Sequence, residues 1–148
     1  MQPPKLLTIA ILLAALSGCQ SGRFTHYTAP EVTGRVLAAD THQPLANASV
    51  QRGAANAFEP FGPPKGGQLL IQTGIVRTAA DGRFVLDSKS VFAPFRDPGW
   101  WSTPVTFSHS GYETFQTNYT AGDLTTNTPA GVPVIDAGDV LLRPSPNN

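Results

Sequence analysis

The side chains able to do chemistry are few and scattered along the chain. One cysteine, Cys19, stands in the stretch Leu16-Ser17-Gly18-Cys19-Gln20. The histidines are His26, His42 and His109, each in a different segment and none spaced as a helical metal pair. His26 and His42 are expected as surface or turn residues. His109, beside Ser110 and Gly111, is expected at a hairpin edge rather than as a general base. No Gly-x-Ser-x-Gly elbow occurs, and no glycine-rich phosphate loop precedes a helix. Asp123, Asp136 and Asp139 carry the oxygen ligands that calcium takes, but no Asp-x-Asp-x-Asp-Gly run joins them, and turn capping explains them better. The residues therefore predict no catalytic set, no metal and no cofactor.

The chain that must position these groups has 148 residues, room for one domain with a real core. Its hydrophobic fraction of 41% is ordinary, while its charged fraction of 14% is low. Ten basic and ten acidic residues cancel, so no field gathers nucleic acid. Glycine and proline, at 14 each, punctuate the sequence and favour short strands with frequent turns over helices. A lone cysteine makes no internal disulfide, so the core alone must hold the fold.

Residues 1–18 are expected to lie outside that fold. Lys5 precedes an apolar run, Leu6 to Leu16, broken only by Thr8. As a helix the run would reach about 16 Å against a hydrocarbon core of roughly 30 Å, the length of a signal-peptide hydrophobic region. Small residues Ser17 and Gly18 follow. Leu16-Ser17-Gly18-Cys19 resembles the lipobox of bacterial lipoproteins. The resemblance implies a diacylglyceryl group on the Cys19 sulfur, cleavage before Cys19, acylation of the new amino terminus, and hence a lipid bilayer as partner. Acyl chains at about 0.8 kcal/mol per buried CH2 make such an anchor effectively permanent. Gln20, where aspartate would favour inner-membrane retention, implies an outer-membrane address facing the periplasm.

Residues 19–31 then read as the lipidated terminus and a flexible tether ending near Pro30. From Val32 the pattern alternates. Val32, Gly34 and Val36 share one face, and Ala48 with Val50 and Phe84 with Leu86 repeat the rule. Further strands are expected at 69–78, 104–109, 112–119 and 139–143, with tight turns at Asp40–Pro44, at Asp81-Gly82 and at Ser110–Tyr112. About seven short strands without a helical period predict an all-β, antiparallel two-sheet sandwich over 32–144, followed by a short tail at 145–148.

The order of these pieces resembles the carboxypeptidase regulatory-like domain, a sandwich similar to transthyretin. The matching residues are Gly34-Arg35-Val36, the stretch Gln43 to Val50, Thr78-Ala79-Ala80-Asp81-Gly82-Arg83-Phe84, Gly111-Tyr112, and Val140 to Pro144. The resemblance implies that Phe84, Phe107 and Tyr112 sit between the sheets. Ala79 departs from the usual acidic residue, and insertions at 53–68 and 88–103 interrupt the pattern. Enzymes on similar sandwiches leave no signature here. Hydroxyisourate hydrolases end in Tyr-Arg-Gly-Ser, which is absent. Intradiol dioxygenases use two tyrosines and two histidines around iron, and Tyr27, Tyr112 and Tyr119 do not form that pattern with the histidines.

The two insertions hold Phe58, Phe61, Phe92, Phe95, Trp100 and Trp101. Two roles suit them: an exposed platform for a glycan or protein, or a mini-core capping one end of the sandwich. Phe61, Phe95 and Trp100 are the residues expected to bind. The sequence thus predicts a non-catalytic lipoprotein that binds a glycan or an envelope protein. A structural subunit of an envelope assembly is the alternative, and a hydrolase is the weakest reading.

Overall fold

Val32 and Val36 are buried as their spacing predicts, and the strand that carries them starts one residue earlier, at Glu31. The computed structural model describes residues 25–53, 56–58, 74–94 and 99–146. In chain order the strands are β1 (Thr25–Ala29), β2 (Glu31–Ala38), β3 (Ser49–Arg52), β4 (Asn56–Phe58), β5 (Ile75–Arg77) and β6 (Arg83–Leu86). They continue with β7 (Lys89–Phe92), β8 (Gly99–Ser108), β9 (Phe115–Thr120), β10 (Thr126–Asn127) and β11 (Pro133–Leu142). One short 3-10 turn, Ala121–Asp123, follows β9.

Two sheets form the sandwich. The first has the order β10-β11-β2-β6. The second has β8 at its centre, with β9 on one side and β4 and β3 on the other, and β5 beyond β3. Val32, Val36, Phe84, Leu86, Ile135, Val140 and Leu142 face inward from the first sheet. Ala48, Val50, Val105 and Phe107 meet them from the second. The rings of Phe84 and Phe107 touch edge to face across the layers, 5.5 Å between centroids. Each such buried side chain contributes about 1.5–3 kcal/mol. Tyr112 is only partly buried and packs at the margin of this core.

The described strands depart from the sequence expectation in four places. The pair β2–β11 is parallel, not antiparallel, with Val134 opposite Glu31 and Leu142 opposite Ala38. Short apolar runs carry no signal of direction, so an all-antiparallel sandwich was the simpler expectation. The register slips between Asp136 and Asp139, where Gly138 takes φ 61°. That bulge explains Gly34: a Cβ there would stand 2.8 Å from the Gly138 carbonyl oxygen. Thr25–Ala29, expected in a tether, form β1 because Lys89–Phe92 supply a backbone partner. The 88–103 insertion is accordingly less a loop than β7 followed by the start of β8. Finally, the run at 69–78 is described as a strand only over Ile75–Arg77, and residues 69–73 lie outside the described residues.

The Asp81-Gly82 turn is tight, as expected, but it joins the two sheets: β5 pairs with β3 and β6 with β2. Gly82 takes φ 78°, its N–H bonds the Ala79 carbonyl at 3.0 Å, and Asp81 Oδ1 accepts from the Arg83 N–H at 3.1 Å. Thr78, just before the turn, is buried. Its hydroxyl donates to the Leu45 carbonyl and accepts from the Ala48 N–H, pinning the β2–β3 connection.

The strand registers give the sandwich two distinct ends. At the proximal end lie the starts of β2, β8 and β11 and the finishes of β3, β6 and β9. The tight turns at 39–47, 79–82 and 109–112 lie at the distal end.

Candidate functional site

Trp100, Phe92 and β4 all belong to the proximal end. Trp100 lies in β8 opposite Ala57, with Gly99 opposite Phe58 and Ser102 opposite Asn56. Aromatic residues suit a pleated, half-buried surface, which is why these segments extend rather than loop. The Trp100 side chain is half-buried and packs against the core, so it follows the mini-core role more than the open platform. Phe92, at the tip of β7, is 73% exposed. Phe61, Phe95 and Cys19 lie outside the described residues.

The ribbon β1–β7 continues the β2–β6 ladder. Val32 pairs with Leu86, Ala29 with Lys89, and after one slip Thr25 with Phe92. Pro30 interrupts the ladder because it has no N–H to donate. Arg52 closes that break. It is fully buried at the end of β3, and its guanidinium donates to the carbonyls of Pro30 at 2.6 Å, Asp87 at 2.7 Å and Leu86 at 3.3 Å. Removal from water pushes the Arg52 pKa down to about 10, with the Asp87 carboxylate opposing, so the group is still charged at neutral pH. Among the described residues its Nε has no hydrogen-bond partner, and neither has the hydroxyl of Thr103, which is buried on β8. Sequence reasoning missed Arg52. The signal was positional: Ala48, Val50 and Arg52 share one strand face, so the parity that buries the first two buries the third.

The residues searched for catalysis are divided between the ends. His26 and Tyr27 lie on β1 and Tyr119 on β9, all proximal, whereas His42, His109 and Tyr112 are distal. The two-tyrosine, two-histidine set sought in the sequence for a dioxygenase sandwich is therefore not gathered, and no step is derived through such an iron. His109 Nδ1 lies 2.8 Å from the Ser110 carbonyl oxygen and Nε2 lies 3.1 Å from that of Ala46, so whichever nitrogen carries the proton has a carbonyl to donate to. Its ring also meets Tyr112 edge to face at 5.3 Å. This is the hairpin-edge placement expected for it.

The aspartates hold local structure. Asp123 Oδ2 accepts from the Thr120 N–H at 2.7 Å and from its hydroxyl at 2.9 Å, and these bonds lower the Asp123 pKa. Burial raises the pKa of nearby Tyr119, with the Asp123 charge adding to it. Asp136 Oδ1 accepts from the Gly138 N–H at 2.9 Å inside the bulge. Asp139 forms a two-pronged pair with Arg35, both contacts 2.9 Å, and the Arg35 hydrogen bond lowers its carboxyl pKa. Among the described residues no three His, Cys, Asp or Glu side chains converge on a common point. A shallow groove of about 490 Å3 crosses the outer face of the first sheet beside the Arg35–Asp139 pair. A distal hollow of about 430 Å3 is walled by the exposed Phe115 and Leu141 with Glu113 and Arg143.

No family model matches the sequence, and no curated protein matches it. Solved structures do share the fold. A 3-chlorocatechol 1,2-dioxygenase from Rhodococcus opacus 1CP has a TM-score of 0.53 at 14% identity, over 80% of this chain and 62% of that one. A catechol 1,2-dioxygenase from Acinetobacter sp. ADP1, inhibited by bound mercury, has 0.51 at 18%, over 86% of this chain and 55% of that one. The dioxygenase domain of a dioxygenase carbohydrate-binding protein fusion from Streptomyces sp. SirexAA-E has 0.50 at 17%, over 79% and 81% respectively. This chain spans less than two thirds of the first two. At such identities the likeness is one of architecture, and it places the chain among all-β sandwiches.

Proposed function

We propose that this protein is a lipid-anchored component of the bacterial envelope, held through acylated Cys19, and that its carboxypeptidase regulatory-like sandwich serves as a non-catalytic binding or accessory module. The observation that carries the reading is the exposed ring of Phe92 at the proximal end, paired with Thr25 where the chain arrives from Cys19. The division of the histidines and tyrosines between the two ends supports binding over catalysis. A glycan or an envelope protein is the ligand class that the aromatic residues suit.

Expression with labelled palmitate tests the anchor. The wild type is expected to take label and to sediment with membranes, and Cys19→Ser to do neither. Label entering Cys19→Ser would end the lipoprotein reading.

A further inference from the structure

The distance from Cys19 to the first strand is short. Residues 20–24 alone separate Cys19 from Thr25, which opens β1. Six Cα-to-Cα steps span at most about 20 Å. Thr25 is paired directly with Phe92 across the β1–β7 ribbon. At 73%, Phe92 is the most exposed large apolar side chain among the described residues. Strand β8 also lies against β1. The tight turns and the distal hollow occupy the other end. An anchor on so short a lead keeps the ribbon tip within about 20 Å of the membrane surface, with the distal end at the far end of the sandwich.

We infer that the tip of the β1–β7 ribbon, through Phe92, is a second contact with the bilayer, seated in the interfacial zone of the membrane that holds the lipidated Cys19. This rests on the anchor reading and names the surface that the proximal end meets. Aromatic rings settle at the headgroup level, where an apolar body and hydrated surroundings coexist. The acyl chains supply the affinity. The ring supplies orientation, since a second contact on the ribbon, beyond the lead, limits how far the sandwich swings about its anchor. The distal hollow and the Arg35–Asp139 groove then face outward, free for a partner.

The test uses the full chain, lipidated and reconstituted in vesicles of phosphatidylethanolamine and phosphatidylglycerol that contain spin-labelled lipid. Lipidation blocks Cys19, so an introduced cysteine is the sole free thiol. A fluorophore on Thr25→Cys is expected to be strongly quenched by the lipid label, and one on Ser110→Cys at the distal end weakly. Adding Phe92→Ser to Thr25→Cys is expected to lower the quenching about threefold, the scale of one aromatic residue's membrane preference. Equal quenching at both sites, or quenching at Thr25→Cys indifferent to Phe92→Ser, would overturn the inference while vesicle flotation still showed the anchor intact. Shielding of the Thr25→Cys label from aqueous iodide without lipid quenching would also overturn it, assigning the tip to self-packing or a second copy. Failure of the chain to float would remove the anchor reading and the inference together.

Discussion

Replacing Arg52 with methionine removes the guanidinium while keeping much of the volume. Two short hydrogen bonds are lost, to the carbonyls of Pro30 at 2.6 Å and Asp87 at 2.7 Å, with a longer one to Leu86. Bonds from a charged donor contribute about 1.5–3 kcal/mol each, so the gross loss is about 3–6 kcal/mol. Relief works the other way, because the fold no longer holds a charge out of water, the cost that lowers the Arg52 pKa. The net expectation is a loss of about 2 kcal/mol, a sizeable part of a stability of about 5–15 kcal/mol. Urea denaturation followed by tryptophan fluorescence should show the midpoint falling by about 1 M. Hydrogen exchange gives the location. Amides of β1 and β7 should exchange faster in Arg52→Met, because the broken ladder at Pro30 loses its clasp, while amides between β8 and β9 keep their protection. A variant as stable as the wild type, with β1 and β7 equally protected, would refute the idea that Arg52 holds the ribbon to the sandwich.

Backbone geometry and charge give three further outcomes. Gly82→Ala puts a Cβ 2.6 Å from the Val36 carbonyl oxygen at φ 78°, and is expected to cost about 1–3 kcal/mol, read as a lowered melting temperature. Gly99→Ala, where an added Cβ meets no described residue within 4 Å, should leave that temperature nearly unchanged. Asp139→Asn should be slightly less stable than the wild type at neutral pH. Because Arg35 depresses the Asp139 carboxyl in the fold, its contribution is complete above the ordinary aspartate value of 3.8 and is lost as the pH falls through the lower folded value. The difference between the two proteins should therefore close on acidification, and a difference that widened there would contradict the pairing.

What could be read from the sequence was local. The alternation at Val32–Val36, at Ala48–Val50 and at Phe84–Leu86 marks half-buried strands, and those residues are buried. The glycine at position 82 marks a positive-φ turn and takes one. Strand β1 was missed because polar composition near Pro30 reads as tether, while its partner β7 lies some sixty residues on within an insertion that reads as loop. Of the residues singled out for binding, the structure describes Trp100, half-buried in a strand, rather than standing on a loop.

The sequence by itself determined which residues turn inward along each strand, because a two-residue period is a property of the strand alone. It also determined the turn chemistry and carried the motif around Cys19. Tertiary structure decided what runs of apolar residues leave open: the parallel β2–β11 pairing, the crossing of the Asp81-Gly82 turn between sheets, and the burial of Arg52 at the break beside Pro30. It also decided that histidines and tyrosines fall at opposite ends while Thr25 and Phe92 meet at one. Direction, pairing and proximity are relations between distant segments, and they are set by which arrangement buries the inward faces while giving each backbone group a partner.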